Sequence, residues 1–168
     1  MRKRRTEKNG TQFRFLTILA VAAAKRIKTW LIKALYLEFD EKYTELLNEI
    51  DKFINTETSN VLNSGMISNL RVFMHDIIID TANKIAESKR EAIPKTAETP
   101  VGNARQYIKR ELMLSDNDHR FVNAFIDILN EEGGHSFMST KEYFRLARNI
   151  AIEIALLILS KYENWRKS

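Results

Sequence analysis

A chain of 168 residues is long enough for one domain with a real core and too short for two independent ones. Its 44% apolar and 29% charged residues, with five Gly and two Pro, describe a folded, helix-rich chain, and the absence of Cys excludes disulfide frameworks, Cys-based zinc sites and thiol nucleophiles. The formal charge of +5 is unevenly spread: residues 1–33 hold ten Lys/Arg and one Asp/Glu, leaving −4 for the remainder, and so basic a segment attracts nucleic acid or anionic lipid.

Residues 1–11 are polar and basic and read as a mobile arm led by Arg2, Lys3, Arg4 and Arg5. A basic start followed by the apolar run 15–24 also fits a secretory signal peptide. Against that, apolar periodicity continues through Ile27, Trp30, Leu31, Ala34, Leu35 and Leu37, which favours one amphipathic helix over about 12–38. The run is far short of the ~20 apolar residues that span a bilayer, so no transmembrane helix is expected. Phe13, Phe15, Trp30 and Tyr36 lie among the cations as base-stacking rings would, but at helical spacing they read first as core.

Asp40 is a candidate N-cap for a short helix over 41–54 that turns Tyr43, Leu46, Leu47, Ile50, Phe53 and Ile54 inward. The Asn-, Thr- and Ser-rich stretch 55–65 reads as a loop. A long helix follows over about 66–88. Met66, Leu70, Phe73, Ile77 and Ile85 recur on one face, and Met74, Ile78 and Ala82 widen it until more than one neighbour is needed to cover it.

Pro94 and Pro100 stop that helix. Pro100 suits the first turn of a shorter helix reaching about Leu114, with Val101, Ala104, Ile108 and Leu112 inward. Ser115 or Asp116 caps a helix over 118–132 that Gly133-Gly134 ends. A last helix occupies about 139–165, and its segment 150–159 is apolar on nearly every side apart from Glu153, so it belongs in a core or a partner interface. The order short helix, loop, long helix occurs twice, at 41–88 and 118–165, and no strand pattern competes. The fold class is all-α.

Catalytic chemistry is hard to assemble from these residues. His75, His119 and His135 are far apart and lack the i, i+4 pairing of a zinc-protease helix. Asp76 and Asp80 share a helix face, yet no second carboxylate helix accompanies them, so a polar face explains them better than a divalent-ion site. Asp116, Asp118, Asp127, Glu131 and Glu132 lack calcium-loop spacing, and there is no phosphate-binding glycine loop. Neither an enzyme nor a cofactor is expected.

Three stretches resemble core histones. Tyr43, Leu46, Leu47 and Ile50, followed by the polar loop ending Asn63-Ser64-Gly65-Met66, are similar to the first helix and first loop of the 2B type. Leu70-Arg71-Val72-Phe73-Met74-His75-Asp76 and its continuation to Asp80 are similar to the middle helix of the 4 type, running on to the basic pair Lys89-Arg90. Ile93-Pro94-Lys95 and the helix with Ala104, Arg105 and Ile108 resemble the second loop and third helix. The closing segment from Ala147-Arg148 to Lys161-Tyr162 looks like the last helix of the 2B type, with 113–145 inserted before it. The third helix starts late and lacks the acidic residue that braces the second-loop Arg. The chain thus resembles a divergent core histone, leaning to the 2B type, of the kind encoded by large DNA viruses.

That resemblance implies an arm over 1–11, an added helix over 12–39, a histone-fold-like core of short, long and short helices over 40–114, and a helical extension over 115–168. It implies pairing with another histone-fold chain through Met66, Leu70, Phe73 and Ile77, with Ile150, Ile154 and Leu157 as further contact positions. Duplex DNA would be held without base readout by Asn63, Ser64, Lys89, Arg90 and Lys95 and by the arm residues Arg2, Lys3, Arg4 and Arg5, in a nucleus or a virion. Glu111 and Glu153 fall where the 2B type contributes to an acidic patch. The competing reading is a helical protein-interaction or regulatory module whose basic start serves as an address or touches anionic membrane.

Overall fold

The computed structural model describes residues 61–62, 64–134 and 139–168, together with Tyr43, Glu45 and Asn48. Those three isolated residues are helical, where the sequence predicts the 41–54 helix. The basic arm, the helix expected over 12–38 and the rest of 41–54 lie outside the described residues.

Four helices follow: α1 (Ser64–Lys89), α2 (Pro100–Glu111), α3 (Asp116–Gly134) and α4 (Lys141–Lys167). The fold is all-α, and its one departure among the described residues is a two-residue ribbon. Val61–Leu62 (β1) pairs antiparallel with Ser139–Thr140 (β2), Val61 facing Thr140 and Leu62 facing Ser139. The first strand lies inside the expected loop and the second replaces the expected first residues of the last helix. Two residues per strand are too few to leave an alternating pattern.

Helix α1 runs unbroken for 26 residues and is the element on which α2, α3 and α4 all pack. Leu70, Phe73, Met74, Ile77, Ile78, Ala82 and Ile85 are fully shielded along it. The broad apolar stripe is therefore covered by this chain's own helices. Leu70, Phe73 and Ile77, assigned to a second chain, are core residues; a single chain removes them from water, so they do not require a partner. Ile154 is likewise buried, while Ile150 and Leu157 are half-buried and Met66 has no described side chain.

The 27-residue α4 buries Phe144, Ala147, Ala151, Ile154 and Ile158, an alternation of three and four that keeps one seam facing inward. Segment 150–159 is thus mainly internal core. Helices on both sides of the expected boundary at 114 contribute to the same hydrophobic cluster.

Charge follows the helix dipoles. Asp116 and Asp118 open α3 and Glu142 opens α4, whereas Lys89, Lys109, Arg110, Arg166 and Lys167 stand in last turns. Thr99 caps α2 by accepting from the Gly102 amide at 3.1 Å, with Pro100 in the first turn. Gly102 is buried there, where a Cβ would lie 2.8 Å from that of Ala97. Ser115 and Asp118 form a reciprocal cap on α3, each side chain accepting from the other's amide at 3.1 and 3.2 Å.

The ends of α1 and α2 use the same device. Arg90 and Met113 have φ of 54° and 50°. The Arg90 amide donates to Glu87 and the Glu91 amide to Ala86; the Met113 amide donates to Arg110 and the Leu114 amide to Lys109. Both are left-handed caps of the kind glycine favours, built here on residues with a Cβ. At Met113 the side chain is 84% exposed, so nothing in the packing requires it. Met113→Gly is expected to stabilise the fold by about 0.5–1 kcal/mol, the relief of left-handed strain exceeding the added freedom of the unfolded chain. Urea titration would show the midpoint rising with the slope unchanged, and Met113→Ala should give no such gain.

Candidate nucleic-acid interface

The basic pair Lys89-Arg90 closes α1 and starts the loop 91–99, which runs to the cap of α2. Asn103 holds that loop. Its side-chain oxygen accepts from the Thr96 amide at 2.7 Å and the Ala97 amide at 2.6 Å. Pro94, Thr96, Asn103, Gln106, Tyr107 and Arg110 line a shallow groove of about 100 Å³ beside it.

Lys89 and Arg90 have different surroundings. The Lys89 ammonium sits 2.8 Å from Glu111 and 3.4 Å from Glu91. Arg110 is 2.7 Å from Glu111 and 3.5 Å from Glu91, and lies 5.1 Å over the Tyr107 ring. The Tyr107 hydroxyl donates to Glu91 at 2.8 Å. Two cations and two carboxylates thus bind the ends of α1 and α2 together. The hydrogen bond to Glu111 pushes Lys89 upward in pKa. Burial alone would raise Glu111, but the hydrogen bonds from Lys89 and Arg110 outweigh it and hold this carboxyl below its usual range. Burial, followed by the bond to Glu91, pushes the Tyr107 phenol upward.

Lys89, expected at a phosphate, is therefore committed to two carboxylates, because a helix end with acids on two neighbouring segments satisfies it locally. Glu111 is enclosed by the same network rather than offered as an acidic patch, while Glu153 is exposed on α4. The missing acidic brace is supplied by Glu91 and Glu111, but it serves Lys89 and Arg110. Arg90 and Lys95 are exposed and make no ion pair among the described residues. Ser64 is the first residue of α1, without a described side chain. Asn63, Arg2, Lys3, Arg4 and Arg5 lie outside the described residues.

A second polar cluster lies where α1, α2 and α3 meet. Arg105 of α2 reaches Asn123 at 3.2 Å and Asp127 at 3.7 Å on α3. The Asn123 amide lies 3.4 Å from the ring nitrogens of His119, which is buried, and Lys109 pairs with Asp116 at 2.8 Å. His75 of α1 is half-buried, and its Nε2 has no hydrogen-bond partner. Burial lowers the pKa of both imidazoles. At His75 Arg71 and Arg105 add to this against a smaller opposing effect of Asp76, and at His119 Lys109 and Arg105 do so against Asp116.

Both rings are therefore kept neutral in the fold, whereas the unfolded chain takes up protons near pH 6.5. Their contribution is fully present above that pH and is lost as pH falls toward the depressed native values. Two such protons permit a slope of at most about 2.7 kcal/mol per pH unit. Unfolding free energy should drop as pH falls below about 6.5, and the drop should shrink in the His75→Gln, His119→Gln double variant. A variant curve parallel to that of the unaltered chain would show that these rings do not contribute.

The Asp76–Asp80 pair is not an open ion site, because the buried Tyr43 hydroxyl donates to Asp80 while its ring meets Phe73 edge-on at 6.1 Å. Among the described residues no group of three or more potential ligands could hold a metal ion, and no helix is long and apolar enough to cross a membrane. No protein-family model matches the chain, and no curated protein or solved structure gives a match.

Proposed function

We propose that the chain is a histone-like architectural protein that holds duplex DNA through its phosphate backbone without reading base sequence. The charge asymmetry carries this reading: ten of the 27 Lys/Arg lie in the first 33 residues beside a single acid. Phosphate contact is assigned to Arg2, Lys3, Arg4 and Arg5, and on the helical body to Arg90 and Lys95. Lys89 is left out because its charge is already met. The feature that agrees with the short-long-short layout is the length of α1, an unbroken helix of 26 residues followed by the shorter α2. Since the chain covers α1 itself, any second histone-fold chain docks elsewhere. A protein of this kind acts where DNA is packaged, in a nucleus or a virion.

A helical interaction module is the second reading, favoured by Phe121 and Ile128, which stand exposed on α3. Titration of the full chain against random-sequence duplex DNA and against anionic vesicles separates the two. Tight, sequence-independent, salt-sensitive DNA binding supports the first reading. No binding to duplex at ~50 mM salt, where phosphate contacts are strong, sinks it.

A further inference from the structure

Among the described residues α3 carries two exposed large apolar side chains, where α1 and α4 carry one each, Val72 and Leu146. Val122, Phe125, Ile126 and Leu129 face the core. On one flank of the helix Phe121 is 52% and Ile128 44% exposed, with the exposed Ala124 between them in sequence and turned further outward. One edge of this stripe carries Arg120 near its start and Glu131 near its end, both exposed. Arg120 is held by its own helix, through Asn117 at 2.6 Å and the Asp116 carbonyl at 3.4 Å. Glu131 makes no ion pair among the described residues.

We propose that this face of α3 docks a second copy of the same chain, the two α3 helices lying antiparallel about a two-fold axis near Ala124. The sequence order along the helix specifies that occupant. Under an antiparallel two-fold, Phe121 of each copy meets Ile128 of the other, and Arg120 meets Glu131 on the same edge, so one face supplies both halves of two ion pairs. Ala124 at the crossing lets the backbones approach closely. A parallel two-fold would carry Arg120 and Glu131 of the two copies to opposite edges of the contact, so neither ion pair would form. The contact spans about two helical turns and is smaller than the ~1,000 Å² of a stable interface, so the association is weak and transient. This inference does not depend on DNA binding and uses none of the residues assigned to it.

Sedimentation equilibrium of the full chain at ~0.15 M salt, from about 10 µM to 1 mM, tests it. The weight-average mass should rise toward that of a dimer, and Phe121→Glu should abolish the rise. Arg120→Glu or Glu131→Arg alone should weaken association about tenfold, by placing like charges together in both pairs, and the double exchange should restore it. Circular dichroism checks that each variant folds; all the substituted positions are exposed, and the charge exchange remains decisive if Phe121→Glu does not fold. A constant mass, a rise that persists in Phe121→Glu, or single reversals that the double exchange fails to rescue would overturn the proposal.

Discussion

Phe73→Ala should lower the unfolding free energy by about 3–5 kcal/mol, a large part of the ~5–15 kcal/mol typical of a domain. The ring is fully shielded on α1 and is met edge-on by Tyr43, so truncation removes buried area and leaves a cavity among side chains that cannot collapse freely. Val72, the preceding residue, is 43% exposed, and Val72→Ala should change stability by no more than about 0.5 kcal/mol. Urea unfolding of the isolated chain measures both. The contrast also bears on partnership. Were α1 an open surface awaiting another histone fold, Phe73 would contribute little to a lone chain, so a cost below about 1 kcal/mol would show that the stripe is not closed within one molecule.

The second large effect concerns the arm. Each Lys or Arg that neutralises a duplex phosphate contributes about 0.9 to the slope of log K against log salt. Replacing Arg2, Lys3, Arg4 and Arg5 with Gln should therefore reduce the slope by about 3–4 and weaken binding by roughly 10²- to 10³-fold at ~0.1 M salt. Arg90→Gln and Lys95→Gln should each reduce it by about one, and Lys89→Gln should leave it nearly unchanged because Glu111 and Glu91 already hold that charge. A slope that survives loss of the arm would move the DNA contact to another surface, and equal losses at Lys89 and Arg90 would mean that the carboxylate network opens on binding.

The helices were legible where periodicity and punctuation agree. The prolines and the Thr99–Pro100 start delimit α2, Ser115 marks α3, and the apolar spacing of 66–88 matches α1 to within two residues at its start and one at its end. The width of the α1 stripe forecast several neighbours, and three helices supply them. What periodicity cannot say is whose side chains do the covering, which is why Leu70, Phe73 and Ile77 read as an interface and proved to be core.

The miss at Lys89 has a related cause. A basic pair at a helix end looks the same in sequence whether it faces solvent or a carboxylate 22 positions away. The left-handed caps at Arg90 and Met113 carry no glycine to announce them, and α2 accordingly ends at Glu111 rather than near Leu114. His119 and Asn123, i and i+4 on α3, were separable in sequence from the general polar surface only by spacing. Their junction with Arg105 is a product of packing.

The small ribbon has a consequence for the route to this structure. Strand β1 stands at the beginning of the described helical body and β2 just before its last helix, so their pairing joins segments separated by three helices. Contacts between consecutive helices form over short chain separations, whereas this one waits for a long loop to close. It should therefore be absent from the folding transition state and form late. The amides of whichever of the pairs Val61–Thr140 and Leu62–Ser139 is hydrogen-bonded are thus the natural reporters of the final closure.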